Sequence, residues 1–316
     1  MSLPAPTASG PEPSQPPGVA PNAVPTGDLL RDTTLVVDPV DARRYTGSIP
    51  DAWNVRYAFG GVTMTAGLRA MQDRLSRPDL SLVTANALFV APIPCGPVTA
   101  HVDVLRNGRG AAQVACDLHV GDSPEIALRV HAVFGIAHSP STTGDRSFVD
   151  VVFPTDVEPP ERCPPPPPHR VDDPWPVINF HHQTDWRPAL PRFWERGEHA
   201  WEPGPARFAS WTRLLVEPRL PDGSYDPLSL AVPADSIGPA IGAKFAPDDQ
   251  WWMSLSLEIG LRLIQPPRTD PAWILQDMTC WQSGDGYATG PSHLWDTDGN
   301  LLAIAQQTAH IRRMPR

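Results

Sequence analysis

Residues 60–75 read GGVTMTAGLRAMQDRL. Its apolar residues recur at helical spacing, so we predict one helix with an apolar stripe that includes Val62, Leu68 and Leu75. Four strand-like runs follow, separated by hairpin-type turns such as Asn107-Gly108. These runs are 80–90, 98–105, 111–120 and 126–135. The first half of the chain therefore predicts a helix followed by an antiparallel meander.

The second half of the chain repeats that order. Two strand-like runs precede a helical segment at 235–244, and four more follow it. These runs are 179–187, 208–216, 251–264, 272–282, 286–296 and 300–313. The two meanders can be overlaid, with Arg109-Gly110 on Asp285-Gly286 and EIALRVHAVF from 125 on LLAIAQQTAH from 301. The overlay predicts an internal duplication.

A long helix followed by antiparallel strands can bury its apolar face only by lying across the sheet that those strands form. Two such units can cover each other's edges by pairing into one continuous sheet. We therefore predict an α+β fold of two antiparallel sheets, each wrapped around a long helix and joined into one extended sheet.

Proline-rich stretches divide the chain into segments. Residues 1–27 predict a disordered tail, because they have neither the basic nor the apolar region of a secretory signal. Residues 153–177 predict a linker, because proline cannot continue a helix or donate to a sheet. The two folded halves are then 28–152 and 178–316.

Charge and cysteine content limit the partners and the compartment. The chain has 25 Lys and Arg against 35 Asp and Glu, and no basic block that could neutralise a row of phosphates, so we expect no nucleic-acid partner. Its four scattered cysteines indicate reduced thiols in a cytoplasmic protein. No window approaches the ~18 consecutive apolar residues of a membrane span.

Several familiar chemistries lack their motifs in this sequence. There is no GxSxG nucleophile elbow and no GxxxxGK[ST] phosphate loop. His181, His182 and Asp185 come close together, but adjacent strand residues point to opposite faces, so the two histidines do not jointly hold a metal. We predict neither a metal nor a cofactor.

Three stretches resemble the double-hotdog acyl-CoA thioesterases of the bacterial acyl-CoA thioesterase II type. They are FGGVTMTAGLRAM at 59–71, LFVAPIPCGPVTAHVDVLRNGRGAAQVACDL at 88–118 and LWDTDGNLLAIAQQTAHIRR at 294–313. The resemblance covers roughly residues 40–313. It implies a hydrolase of lipid metabolism that cleaves acyl-CoA to a carboxylic acid and coenzyme A without a metal or redox cofactor. It also implies assembly into a homo-oligomer.

The resemblance implies a catalytic set in the second half of the chain. Such enzymes hold the attacking water with an Asp, a Thr or Ser, and a Gln, and these fall on Asp235, Ser256 and Gln307. A slip of one residue would choose Gln306 instead. Ser in place of Thr keeps the hydroxyl. In the first half, Gly60 and Gly61 are predicted to contact the substrate, because backbone without Cβ can approach an acyl thioester closely.

Other interpretations of these residues stay open at this point. Asp235 is also a good N-cap for the helix that it is predicted to open. Ser256 and Glu258 share a face of an alternating strand, so Ser256 could be an ordinary strand hydroxyl. The protein could bind acyl thioesters without turnover, or act on acyl groups carried by a carrier protein in a biosynthetic pathway. A hydratase would need a His shortly after Asp235, and residues 237–245 contain none.

Overall fold

The computed structural model describes residues 26–136, 148–166, 178–191, 204–245 and 251–314. Within these ranges the helices are α1 (Leu29–Asp32), α2 (Gly60–Leu75), α3 (Ala231–Ala234) and α4 (Gly238–Lys244). The strands are β1 (Val36–Val37), β2 (Arg44–Ile49), β3 (Leu80–Phe89), β4 (Gly96–Asn107), β5 (Ala111–Val120), β6 (Ile126–Ile136), β7 (Thr184–Leu190), β8 (Arg207–Leu214), β9 (Trp251–Leu263), β10 (Ile274–Thr279), β11 (Gln282–Gly284), β12 (Tyr287–Trp295) and β13 (Leu301–Met314). None of the helices described has the length and apolar content that crossing a membrane requires.

All of these strands belong to one antiparallel sheet. β11 pairs with β12 at the side, and the other strands run in the order β1-β2-β4-β5-β6-β3-β9-β13-β12-β10-β8-β7. The two halves meet where β3 pairs with β9, from Thr84 opposite Arg262 to Leu88 opposite Glu258. Each half supplies one strand to this junction, so the inner edges of the two meanders cover each other. The predicted α+β fold with one extended sheet is confirmed.

The helix predicted at 60–75 is α2, with the same bounds. Eleven of its 16 residues are buried, including the predicted stripe residues Val62, Leu68 and Leu75. A helix on a protein surface buries only one stripe. α2 buries more because β4 and β5 cover one side of it and α3 of the second half covers another.

The helical region of the second half is broken into short pieces. A 3₁₀ turn at Pro227–Leu230 runs into α3, and α4 starts only at Gly238. Pro239 has no N–H to donate to the carbonyl four residues earlier, so one helix cannot run through this region. The helix predicted at 235–244 therefore begins three residues later than expected, and Asp235 is the C-cap residue that follows α3.

The predicted domain boundaries fall partly outside the described residues. All but the last two residues of the predicted tail, 1–27, lie outside them, as does the end of the predicted linker, 153–177. The described part of the linker lies against the second half, where Trp211 Nε1 donates to the Glu158 carbonyl at 2.8 Å. The division into domains stays a prediction.

An ion pair and a close approach of two backbones are among the contacts that join α2 to the second half of the chain. Arg69 Nη2 lies 2.7 Å from Asp226 Oδ2, and the Asp226 side chain is buried. At the start of α2, a Cβ on Gly61 would lie 2.5 Å from the Ala231 carbonyl oxygen and 2.6 Å from Val232 Cα. Only glycine allows the backbones of α2 and α3 to approach this closely.

We expect Gly61→Ala to destabilise the protein, because the added methyl group must push α2 and α3 apart. Overpacking of this kind lowers the free energy of unfolding by about 1–3 kcal/mol. Denaturant unfolding of the variant and the wild type measures this difference. Gly110→Ala is the matched control, since a Cβ there meets no atom within 4 Å. Equal unfolding free energies for the two variants would contradict the tight contact at Gly61.

Candidate active site

Two side chains from adjacent strands reach Asp235 in the break between α3 and α4. Ser256 Oγ on β9 donates to Asp235 Oδ1 at 2.7 Å, and Gln307 Nε2 on β13 donates to the same oxygen at 2.7 Å. Gln307 Nε2 also lies 2.7 Å from Ser256 Oγ. The Ile237 N–H donates to Gln307 Oε1 at 2.8 Å, which keeps the amide nitrogen turned toward the carboxylate. The structure brings the three predicted residues together in a closed triangle.

A β-bulge on β9 directs Ser256 into this triangle. Strict alternation predicts that Ser256 and Glu258 share a face. In the structure Thr308 pairs with Glu258, the next residue Ala309 pairs with Ser256, and Leu257 is the extra residue between them. Glu258 is therefore exposed on the other face, where it accepts from Thr308 Oγ1 at 3.1 Å. The prediction of a shared face is wrong.

The second oxygen of Asp235 faces the first half of the chain. Asp235 Oδ2 accepts from the Gly61 N–H, the second amide of α2, at 2.9 Å. Phe59, the N-cap residue of α2, makes no side-chain capping bond, and neither does Ile237 at the start of α4. Asp235 therefore complements the positive end of α2 instead of the helix that follows it. The prediction that it caps its own helix is wrong.

Burial raises the pKa of the Asp235 carboxyl above its ordinary value. The side chain is 5% exposed, and removal from water penalises the charged form. Hydrogen bonds from Ser256, Gly61 and Gln307 act in the opposite direction, because each donates to the carboxylate. The result is a carboxylate with three donors and an increased affinity for a proton.

Gly60 and Gly61 lie at the contact between Asp235 and α2. A Cβ on Gly60 would collide with Asp235 Oδ2 and lie 2.9 Å from the Phe89 ring. The N–H of Gly61 is already bonded to Asp235. Both glycines are therefore needed to seat the carboxylate, and their predicted contact with a substrate stays a prediction.

The neighbouring glutamine lies on the other side of the sheet. Gln306 is exposed, whereas Gln307 is 5% exposed and faces Asp235. Successive residues of β13 point to opposite faces, so only one of the two glutamines can belong to the triangle. The structure selects Gln307.

His181 and Asp185, which the sequence disfavours as parts of a metal site, have other partners in the structure. The His181 ring stacks on Trp186 with centroids 5.9 Å apart, and Asp185 Oδ2 lies 3.0 Å from Arg187 Nη2. Across the residues that the structure describes, no group of three or more His, Cys, Asp or Glu side chains could hold a metal ion.

A cavity of about 190 Å³ lies near the triangle, although none of the three triangle side chains lines it. Phe59 and Ser236, which adjoin Gly60 and Asp235 in the sequence, both line it, together with Phe180 and Trp186. The sequence pattern does not predict this cavity. The only local signal is the aromatic content of NFHHQTDW at 179–186, a segment whose pattern indicates a strand and a weak metal motif.

Two models of known protein domains match this chain. The model of the acyl-CoA thioesterase C-terminal domain matches residues 160–311, and that of the N-terminal domain matches residues 49–135. The chain belongs to the acyl-CoA thioesterase family. As a member it is an enzyme that hydrolyses thioesters. No curated protein sequence matches it.

Solved structures share the fold of this thioesterase over nearly its whole length. A proposed thioesterase II from Thermobifida fusca YX covers 92% of this chain and 100% of its own, with 20% identity and a TM-score of 0.72. A hot dog fold protein from Alicyclobacillus acidocaldarius covers 92% and 100%, with 20% identity and a TM-score of 0.69. The acyl-CoA thioesterase II TesB2 from Mycobacterium marinum covers 91% and 99%, with 18% identity and a TM-score of 0.68. These likenesses confirm the double-hotdog architecture.

We expect the Asp235 carboxyl to titrate above the ordinary range of aspartate and its pKa to rise further in Ser256→Ala. That variant loses a donor that stabilises the charged form, while the burial of the carboxyl is kept. Carbon-13 NMR of the aspartate side chains across a pH series measures the shift, with Asp235→Asn to assign the signal. Ser254→Ala, at an exposed serine two residues away, is the control. A Ser256→Ala titration identical to that of wild type would contradict the assigned hydrogen bond.

Proposed function

We propose that the protein hydrolyses acyl-CoA thioesters to a carboxylic acid and coenzyme A, using a water held by Asp235, Ser256 and Gln307. The observation that carries this proposal is the triangle of 2.7 Å contacts among the three side chains. A carboxylate, a hydroxyl and an amide supply the acceptors and donors that orient a water beside a base.

Asp235 acts as the general base in this scheme. It takes a proton from the water as the water oxygen bonds to the thioester carbonyl carbon. The carbon–sulfur bond then breaks, and the proton passes to the departing sulfur, so the carboxylate is regenerated and the products are an acid and a thiol. A raised pKa makes the ionised Asp235 a stronger base than an exposed aspartate, which favours abstraction of the proton from the water.

The start of α2 stabilises the negative charge that develops on the carbonyl oxygen. The Gly61 N–H is bonded to Asp235 and therefore positions the base. The Gly60 N–H, one residue closer to the end of the helix, donates to the carbonyl oxygen in this scheme, and the positive end of the helix adds to its effect. Gly60 is thus the substrate-binding residue of the pair.

We further propose that the enzyme acts in the cytoplasm as a homo-oligomer. The structure describes all four cysteines and none of them forms a disulfide, as expected of a protein from a reducing compartment. Leu88 and Val90 lie at the end of β3 and are 51% and 59% exposed, which offers apolar surface that a second copy can cover.

We expect Asp235→Asn to lower kcat by about 10²–10⁴, the usual contribution of a positioned general base. Release of free thiol from a panel of acyl-CoAs measures it, with circular dichroism to show that the fold is kept. Gln307→Ala should also lose activity, whereas Gln306→Ala, at the exposed neighbour, should retain it. Wild-type turnover in Asp235→Asn would overturn the assignment of the base. Turnover that occurs only when the acyl group is attached to a carrier protein would show that the substrate is a carrier-protein thioester and not an acyl-CoA.

The pH profile provides a separate test of the base. Only the ionised carboxyl can accept a proton, so we expect kcat/KM to fall as the pH is lowered through the pKa of Asp235. Burial raises that pKa, so the fall begins at a higher pH than it would with an exposed aspartate. The kinetic pKa should equal the one obtained by NMR titration. A profile that stays flat through the titration of Asp235 would contradict its role.

A further inference from the structure

The cavity beside Asp235 has a continuous aromatic wall. Phe59 and Phe180 stack with centroids 4.2 Å apart and planes inclined by 26°. His181 and Trp186 stack at 5.9 Å and 14°, and Phe180 lies 6.2 Å from His181, which links the two pairs. All four rings line the cavity.

Another part of the wall is held rigidly by hydrogen bonds. Gln276 Nε2 donates to the Pro233 carbonyl at 2.8 Å, and Gln276 Oε1 accepts from Ser210 Oγ at 3.2 Å. Gln276 and Ser210 are buried. Because both ends of the amide already have partners, this side chain cannot swing aside to lengthen the cavity without losing them.

The volume of the cavity sets the size of its occupant. An apolar cavity of about 150 Å³ holds one benzene ring, so this cavity of about 190 Å³ has room for about eight non-hydrogen atoms. A benzoyl group has this size, and a phenylacetyl group is one carbon larger. A dodecanoyl chain exceeds this volume.

We propose that this cavity receives the acyl group and selects compact aromatic acyl thioesters over long linear ones. Aromatic rings attract one another at centroid distances of about 4.5–7 Å in stacked or edge-on arrangements, and the aromatic wall offers such contacts. Phe59 and Ser236 line the cavity and are the sequence neighbours of Gly60 and Asp235, so the cavity adjoins the residues proposed to act on the thioester. The proposal rests on the proposed function and names the substrate class of that same site.

Hydrolysis of phenylacetyl-CoA, octanoyl-CoA and dodecanoyl-CoA tests the proposal by free-thiol release. Phenylacetyl-CoA and octanoyl-CoA have similar numbers of atoms, so their comparison isolates the aromatic ring, and dodecanoyl-CoA tests length. We expect kcat/KM for phenylacetyl-CoA to exceed that for dodecanoyl-CoA by at least about tenfold, a usual magnitude for pocket discrimination. A preference for dodecanoyl-CoA would overturn the proposal and leave thioester hydrolysis intact.

Binding separates this proposal from the proposed function. In Asp235→Asn, calorimetric titration with the same three thioesters measures affinity without turnover, and coenzyme A alone gives the baseline. We expect phenylacetyl-CoA to bind at least about tenfold more tightly than dodecanoyl-CoA. If phenylacetyl-CoA binds more tightly than dodecanoyl-CoA but the wild type hydrolyses neither, the proposed function is refuted and the aromatic selectivity stands. Equal affinities would refute the aromatic selectivity.

A change to the aromatic wall should change the selectivity. Trp186→Ala enlarges the cavity, so we expect the ratio of kcat/KM for phenylacetyl-CoA to that for dodecanoyl-CoA to fall at least about tenfold. Trp186→Leu keeps an apolar contact and should move the ratio in the same direction if the alanine variant does not fold. Trp281→Ala, at a tryptophan that is 67% exposed and outside the cavity, is the matched control. An unchanged ratio in a folded Trp186 variant would overturn the proposal.

Discussion

The hydrogen bond from the Gly61 N–H to Asp235 Oδ2 ties the carboxylate of one half to the helix terminus of the other. It requires bare backbone at Gly60 and Gly61, because a Cβ on either would collide with the carboxylate or with the backbone of α3. It also requires the halves to be held in a fixed relation, which the pairing of β3 with β9 and the Arg69–Asp226 ion pair provide. The candidate site is therefore a property of the joined halves, and neither half contains it alone.

Two opposing effects set the ionisation of Asp235. Burial favours the neutral acid, whereas the donors Ser256, Gly61 and Gln307 favour the carboxylate, and burial is the larger effect. Because the folded state binds this proton more tightly than the unfolded chain, the carboxylate lowers stability at a pH above its folded pKa. That penalty disappears as the pH falls below the unfolded pKa. The rest of the fold must offset this cost at neutral pH, as is usual for a functional position.

The elements could be predicted from the sequence more completely than the site. The bounds of α2 and β5 follow from helical spacing and from turn residues, which are local signals. Asp235, Ser256 and Gln307 could be predicted from the resemblance to a family. Alternation alone places Ser256 and Glu258 on one face of the strand, which is wrong, because a bulge leaves no local mark in the sequence. The contact of Asp235 with Gly61 spans 174 residues and depends on tertiary packing. The cavity cannot be predicted from local sequence for the same reason, because its walls come from distant segments.

The predicted duplication does not give the two halves equivalent sites. A second site related by the repeat would need a carboxylate where α2 begins, but α2 opens with Gly60 and Gly61 and has no acidic residue before Asp73. A side chain at position 60 could not be added beside the present site, because its Cβ would occupy the place of Asp235 Oδ2. The first half therefore offers amides at the start of α2, the second half offers a carboxylate at the end of α3, and the two are complementary. Building the second site by symmetry would remove the contact on which the first depends.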